Sequence, residues 1–387
     1  MPTNLPPEAQ AAYSRHMDAT TLEEKIRTLE EFLSLVPKHK GTEKLIALHR
    51  SRLVKLRQEL EKKKAVKKGS GAPTPFSIQK SGDIEAILVG TNGVGKTRLL
   101  NALTNTKYPV GIPTHVPIQG VTTCCKGVLL QIVEAPALFE GASRGIGNGR
   151  QILGLIRNSD ILGIVIDLTN DIEWQYSVLM KELENASLRI NVSRPPVAVE
   201  RTGSGGILIF GAENYDIDTD ELREYLREAG FRNCTLRILG PVSMQQIIDS
   251  LDNRIRYIKA IIIATKGDLP GTAKNFKDLI RIAGNRFKVV PVSSIKNKGI
   301  NELKEAFFRE LDLIRVWTKS EKGIGKRPLV LKKNSTVRDV AKKIHSSFLN
   351  HFRYAVIHRH DSKSPTKKVG INYKLEDGDI LQIVTSI

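Results

Sequence analysis

The 387-residue chain holds three cysteines and no C-x-x-C spacing: Cys124 and Cys125 are adjacent and Cys234 is remote. This excludes a disulfide framework and gives no sign of a cysteine-ligated zinc site. Aromatic residues are scarce at 5%, beside a hydrophobic fraction of 40%, which is an ordinary balance for a soluble α/β protein and argues against general disorder. No apolar run approaches the length of a membrane span. The amino-terminal Met1 to Pro7 lacks a basic-then-apolar signal pattern, so the expected location is cytoplasmic. Acidic residues are also in the minority, 41 against 60 lysines and arginines.

The stretch that organises the rest is Gly90-Thr91-Asn92-Gly93-Val94-Gly95-Lys96-Thr97, which fits the phosphate-binding pattern G-x-x-x-x-G-K-[ST]. Ile84 to Val89 before it reads as a buried strand, and Arg98 to Leu103 after it as the first turns of a helix. Glycines let successive backbone N–H groups turn inward around phosphate oxygens, a lysine reaches the outer phosphates, and a hydroxyl ligates Mg²⁺. The candidate nucleotide contacts are therefore Gly90, Asn92, Gly93, Val94, Gly95, Lys96, Thr97 and Arg98. Lys96 is also a catalytic candidate and Thr97 a metal ligand.

A second motif, Thr265-Lys266-Gly267-Asp268, follows the apolar run Ile261 to Ala264 and matches the [NT]-K-x-D pattern that reads guanine. Asp268 can accept hydrogen bonds from the guanine N1–H and exocyclic amine together, a pair that adenine does not present. Val289 to Ser294 ends a further strand where a base contact is expected from Ser293 and Ser294.

Two segments carry nearly all of the net charge of +19: residues 38–68 have twelve lysines and arginines against three acids, and residues 322–387 fourteen against five. Basic charge confined to both flanks suggests surfaces that face a polyanion, nucleic acid first, with a merely solvated surface as the alternative.

At this length the chain divides into two or three domains. Residues 1–75 read as a basic helical hairpin and linker, with a capping box from Thr21 to Glu24, apolar positions at Leu22, Ile26, Leu29, Phe32 and Leu33, and a second helix with Leu45, Leu48, Leu53, Leu56 and Leu60 inward. Residues 76–326 alternate strand and amphipathic helix, which predicts a mostly parallel α/β sheet. The separation of Asp268 from Lys96 implies an inserted small α+β subdomain at about 188–256, with strands at Val197 to Val199 and Ile207 to Phe210 and a helix from Thr219 to Ala229. From 327 to 387 short strands at Leu329 to Leu331, Tyr354 to Ile357 and Ile380 to Val384 flank one helix, Thr336 to Phe348. Four of the eight histidines fall in this tail without ligand spacing.

Together with Glu140-Gly141-Ala142-Ser143-Arg144-Gly145-Ile146-Gly147-Asn148-Gly149-Arg150, these motifs resemble the Obg-like GTPases, and within them the developmentally regulated GTP-binding protein group in its archaeal form. Lys38 to Glu43, the insertion after Glu182-Leu183-Glu184 and the run Leu313 to Lys319 extend the likeness over nearly the whole chain. The tail resembles the TGS domain, a β-grasp fold, through Lys326-Arg327-Pro328, Thr336 to Val340, Ile344-His345, Val369-Gly370 and Leu375 to Ile380. The resemblance implies a P-loop GTPase using GTP, GDP and Mg²⁺ and acting with ribosomes or structured RNA in translation, with no membrane role. A nucleotide-sensing RNA-binding factor without useful hydrolysis is the second reading.

The chain departs from that family where it matters. Glu134-Ala135-Pro136-Ala137 stands for Asp-x-Pro-Gly, so Glu134 is expected to hold the metal through a longer side chain, and Ala137 to meet the γ-phosphate where a glycine would. Leu138 and Phe139 follow in place of a glutamine, and Gly93, where relatives often carry Asn or Ser, leaves potassium-assisted hydrolysis without its usual residue. Hydrolysis is thus expected to be slow. The threonine pair of the first switch is read at Thr122 and Thr123; either is a candidate to close over the metal and the γ-phosphate, and Thr123 is the catalytic candidate.

Overall fold

The computed structural model describes residues 6–19, 22–37, 42, 46, 49, 53, 56, 75–252, 254–320, 323–345, 347–359 and 366–385. Two compact units divide at Thr74 and Pro75. In the first, helices α1 (Pro7–Asp18) and α2 (Leu22–Leu35) pack through Ala9, Ala12, Leu29, Phe32 and Val36. The first of these helices was not expected. Leu53 and Leu56 pack on the same cluster, as does Ile46. Thr21 of the expected capping box, the linker before Pro75, and most of the second helix with its basic face lie outside the described residues.

The second unit is built on a sheet of β1 (Ile84–Val89), β2 (Ile118–Cys124), β3 (Val128–Glu134), β4 (Ile161–Asp167), β5 (Leu188–Ile190), β9 (Arg256–Thr265) and β10 (Val289–Pro291). The order is β10-β9-β4-β1-β3-β2, with β5 beside β9, and only β2 runs antiparallel to its neighbour. Both faces are covered, which is why β1 and β4, apart from Glu85 and the terminal Asp167, read as apolar runs rather than alternating ones. Ile87, Val89, Leu162 and Ile164 pack under α4 (Gly149–Arg157), α5 (Ile172–Asn185) and α8 (Thr272–Ala283). Ala86, Leu88, Ile161 and Val165 face α3 (Lys96–Thr104) and α9 (Ile300–Glu310). Each fully buried aliphatic side chain contributes about 1.5–3 kcal/mol, so this double core dominates the stability of the unit.

The insertion has its own sheet, β6 (Val197–Arg201), β8 (Cys234–Ile238) and β7 (Ile207–Phe210) in that order, and its own core with α6 (Thr219–Glu228) and α7 (Met244–Leu251). The Asp218 carboxylate caps α6 by accepting from Asp220 N and Glu221 N. Its first strand starts at Val197, because β5 at 188–190 belongs to the large sheet.

The tail differs from expectation at its start. Strand β11 (Leu313–Ser320) pairs with β13 (Leu329–Lys332) and β16 (Ile380–Thr385), so the tail sheet begins before residue 327. It continues through β14 (Phe352–His358) to β15 (Thr366–Val369), with β12 (Gly323–Ile324) at its other edge. The helix expected over 336–348 is two pieces, α10 (Val337–Ile344) and α11 (Ser347–Asn350), broken at His345, whose backbone is extended. Only Leu311 and Asp312 separate the end of α9 from β11. Arg315 of β11 pairs with Asp377 at 2.5 Å and donates to the carbonyl of Cys125 at 2.9 Å, which ties the tail to the β2–β3 turn. No helix of the described residues is long and apolar enough to cross a membrane.

Candidate nucleotide site

The phosphate loop leaves β1 at Gly90, where a Cβ would lie 2.8 Å from the carbonyl oxygen of Val165 on the neighbouring strand; only glycine permits that approach. Asn92, Gly93, Val94, Gly95, Lys96, Thr97 and Arg98 then line one side of a cavity of about 470 Å³. Gly90 shapes the loop from behind and does not line it. Lys96 is 6% exposed, and its ammonium donates to Gly90 O at 3.0 Å and Thr91 O at 2.9 Å. Burial lowers its pKa to about 8, against the opposing pull of Glu134.

A carboxylate closes the phosphate end. Glu134 ends β3, in register with Leu88 of β1, and its Oε1 accepts from Thr97 Oγ1 at 2.9 Å and from Thr114 Oγ1 at 3.3 Å. Burial raises its pKa; the hydroxyl of Thr97, the charge of Lys96 and the hydroxyl of Thr114 offset part of that. Its Oε2 is buried without a hydrogen-bond partner among the described residues. An unsatisfied carboxylate oxygen beside two hydroxyls is a donor set that fits a hard divalent cation.

Thr122 and Thr123 are not brought to this corner. In the antiparallel ladder they sit opposite Leu130 and Leu129, whereas Glu134 sits opposite Ile118. From Leu129 to Glu134 is five strand positions, roughly 17 Å. Thr122 instead accepts a hydrogen bond from Lys304 of α9 at 2.9 Å. The threonine that the fold delivers is Thr114, in the loop before β2, and Val110 to Pro113 of the same loop line the cavity with it.

The opposite end is formed by the loop after β9. Thr265, 4% exposed, donates to Val94 O at 2.8 Å and so pins the phosphate loop to this strand. Lys266, at φ +60°, reaches Gly93 O at 3.0 Å and the fully buried Asp167 at 2.5 Å. Asp268, Leu269, Ser294 and Ile295 complete the lining. Ser293 points elsewhere: its backbone pairs with Lys298 and its hydroxyl accepts from Lys296 N at 3.1 Å, so it shapes the turn that presents Ser294. Asp167, absent from the sequence reading, holds the guanine-loop lysine in place.

Ala137 lines the cavity as well, and the next residue, Leu138, donates its N–H to Gly90 O at 3.1 Å. The glycine-rich run beyond it is held from α5: the buried Glu182 accepts from Gly141 N at 2.8 Å and Ser143 N at 2.7 Å. A Cβ at Gly149 would collide with the backbone of Ala142. Between this run and the loop before β2 lies a second cavity of about 440 Å³ that shares Asn92, Pro113, Thr114 and Ala137 with the first. Among the described residues no group of histidine, cysteine and carboxylate side chains forms a separate metal cluster.

Three known families match successive parts of the chain: a 50S ribosome-binding GTPase over residues 85–200, the C-terminal region of that GTPase domain over 204–313, and a TGS domain over 314–385. The chain is 34% identical over 371 residues to an uncharacterized GTP-binding protein of Halobacterium salinarum, covering 94% of this chain and 99% of that one. It is 30% identical over 372 residues to the developmentally-regulated GTP-binding protein 2 homolog of Dictyostelium discoideum, covering 93% and 98%. To the ribosome-interacting GTPase 1 of Saccharomyces cerevisiae it is 28% identical over 373 residues, covering 94% and 99%.

Proposed function

Because the chain belongs to the family of developmentally regulated GTP-binding proteins, and so binds and hydrolyses GTP, we propose that it is a slow cytoplasmic GTPase whose nucleotide state governs how its tail and basic segment engage ribosomes or structured RNA. The observation that carries this reading is the course of β2. The strand starts at Ile118, four residues after Thr114 and opposite the Glu134 that Thr114 meets, and ends at Cys124, next to the carbonyl that Arg315 of the tail holds. A ligand that draws Thr114 inward pulls on one end of a strand whose other end meets the tail, which is the kind of bistable connection a nucleotide switch requires. The yeast relative interacts with ribosomes by name, and the matching GTPase family is described as ribosome-binding.

In this reading Lys96 meets the outer phosphates, Asp268 and Ser294 meet the guanine, and Thr97, Thr114 and Glu134 would hold Mg²⁺. Magnesium bound there neutralises charge that gathers on the phosphate oxygens during transfer. The chain's own residues align the phosphates for attack by water. Slowness is expected from Ala137, which brings a Cβ to a cavity-lining position where the family has a glycine, and from the apolar Leu138 and Phe139 that follow it. Single-turnover hydrolysis with and without ribosomes tests the whole: the free protein is expected to turn over slowly, ribosomes to accelerate it, and Glu134→Asp with Ala137→Gly to raise the free rate. Rapid turnover of the free protein, or ribosome binding identical with GDP and a non-hydrolysable GTP analogue, would refute it.

A further inference from the structure

We propose that His115 is a catalytic residue of this GTPase, hydrogen-bonding the water that attacks the γ-phosphate. The inference rests on the nucleotide occupying the first cavity with its phosphates on the loop 90–97. The two cavities meet at Asn92, Thr114 and Ala137, the wall that bounds the phosphate end. Displacement at phosphorus brings the attacking and leaving oxygens roughly into line, so water enters from the side away from the β-phosphate. That side is the second cavity.

Part of that cavity is apolar and cannot orient a water. Leu138, Phe139, Ile152 and Pro136 give it an apolar floor, and the Leu138 N–H is already committed to Gly90 O. Of its hydrogen-bonding side chains, Thr114 is engaged by Glu134, Trp174 can only donate, and Thr91, Asn92 and Asn148 offer hydroxyl or amide oxygens that are less basic acceptors than an imidazole nitrogen. His115, the next residue, lines the cavity, is exposed, and makes no hydrogen bond to any described residue. An imidazole offers a ring nitrogen that accepts strongly from water, and it is the only titratable side chain lining this cavity. In the step itself the water oxygen bonds the γ-phosphorus while the bridging P–O bond breaks and leaves its electron pair on GDP. The water's protons pass to the phosphate product and solvent. His115 ends as it began, having fixed the water's direction of approach.

The test is single-turnover hydrolysis by the full chain alongside GTP affinity measured by calorimetry. His115→Ala is expected to slow hydrolysis about 10- to 100-fold with GTP and GDP affinities within about twofold of the unmodified protein. His115→Gln, which keeps an acceptor, is expected to recover much of the rate. Unchanged hydrolysis in His115→Ala, a rate loss matched by lost GTP affinity, or a glutamine no better than alanine would each overturn the proposal. Lys96→Ala separates it from the placement beneath it: lost GTP affinity there supports the placement, whereas full affinity would remove both.

Discussion

Thr114 and Glu134 lie twenty residues apart, yet hydroxyl and carboxylate meet at 3.3 Å on the same oxygen that Thr97 holds at 2.9 Å. This contact brings the loop before β2, rather than the strand itself, to the phosphate end of the cavity. Thr114→Ala is expected to raise the Mg²⁺ concentration needed for half-maximal hydrolysis roughly tenfold, since an ion that demands near-ideal placement loses one of its oxygens. Thr123→Ala, at the far end of β2, is expected to leave it unchanged. A magnesium titration of single-turnover rates that ranks the two variants the other way would refute this assignment.

Base selectivity should follow Asp268. A site built to hydrogen-bond a polar edge rejects a ligand that lacks it by large factors, so ATP is expected to bind at least about 100-fold more weakly than GTP. Asp268→Asn should weaken GTP by a similar factor. Calorimetry showing equal GTP and ATP affinity in the unmodified chain would end the argument.

The clamp from Glu182 predicts an acid-sensitive loss of stability. Burial alone would raise its pKa, but hydrogen bonds from Ser143 and Gly141 and the charge of Arg144 outweigh it and hold the carboxyl below its usual 4.5. A carboxylate with a depressed pKa contributes stability that is present above the unfolded value and lost as pH falls through the folded one. Below about pH 4.5 the unfolded chain therefore takes up the proton first, and stability declines. Glu182→Gln should flatten the denaturation midpoint against pH in that window. An unaltered acid limb would show that the clamp contributes nothing.

For polyanion binding, affinity is expected to fall steeply with salt, with each neutralised phosphate contributing about one unit of log–log slope. Deleting residues 322–387 is a poor test, because β11 would lose the strands it pairs with. Arg353→Glu, Lys367→Glu and Lys368→Glu change exposed positions of β14 and β15 without cutting the sheet. The triple variant should bind structured RNA or ribosomes with a shallower salt slope. Equal slopes would leave these positions a solvated surface.

Features carried by consecutive residues are legible in the sequence. The phosphate loop specifies its strand, turn and helix within the twenty-one positions from Ile84 to Thr104, and Ile207 to Phe210 and Leu329 to Leu331 mark strands within a residue of their ends. What depends on register or on distant partners is not. Thr122 and Thr123 look like a switch pair, but the β2–β3 ladder decides which threonine faces Glu134, and no local pattern encodes that pairing. Asp167 and Glu182 each act on a segment tens of residues away, so only the folded chain reveals what they hold. Strand β11 escaped assignment to the tail for the same reason: one of its partners lies more than sixty residues downstream.

The two residues between α9 and β11 have a mechanical consequence. A domain on a slack tether would let the core shift without noticing, but Leu311 and Asp312 give almost no play. The tail is in effect a lever bolted to α9, and α9 grips β2 through Lys304 and Thr122. A tilt of that helix would carry the β-grasp sheet with it, and a load on the sheet would reach β2 through the same short link and the same hydrogen bond.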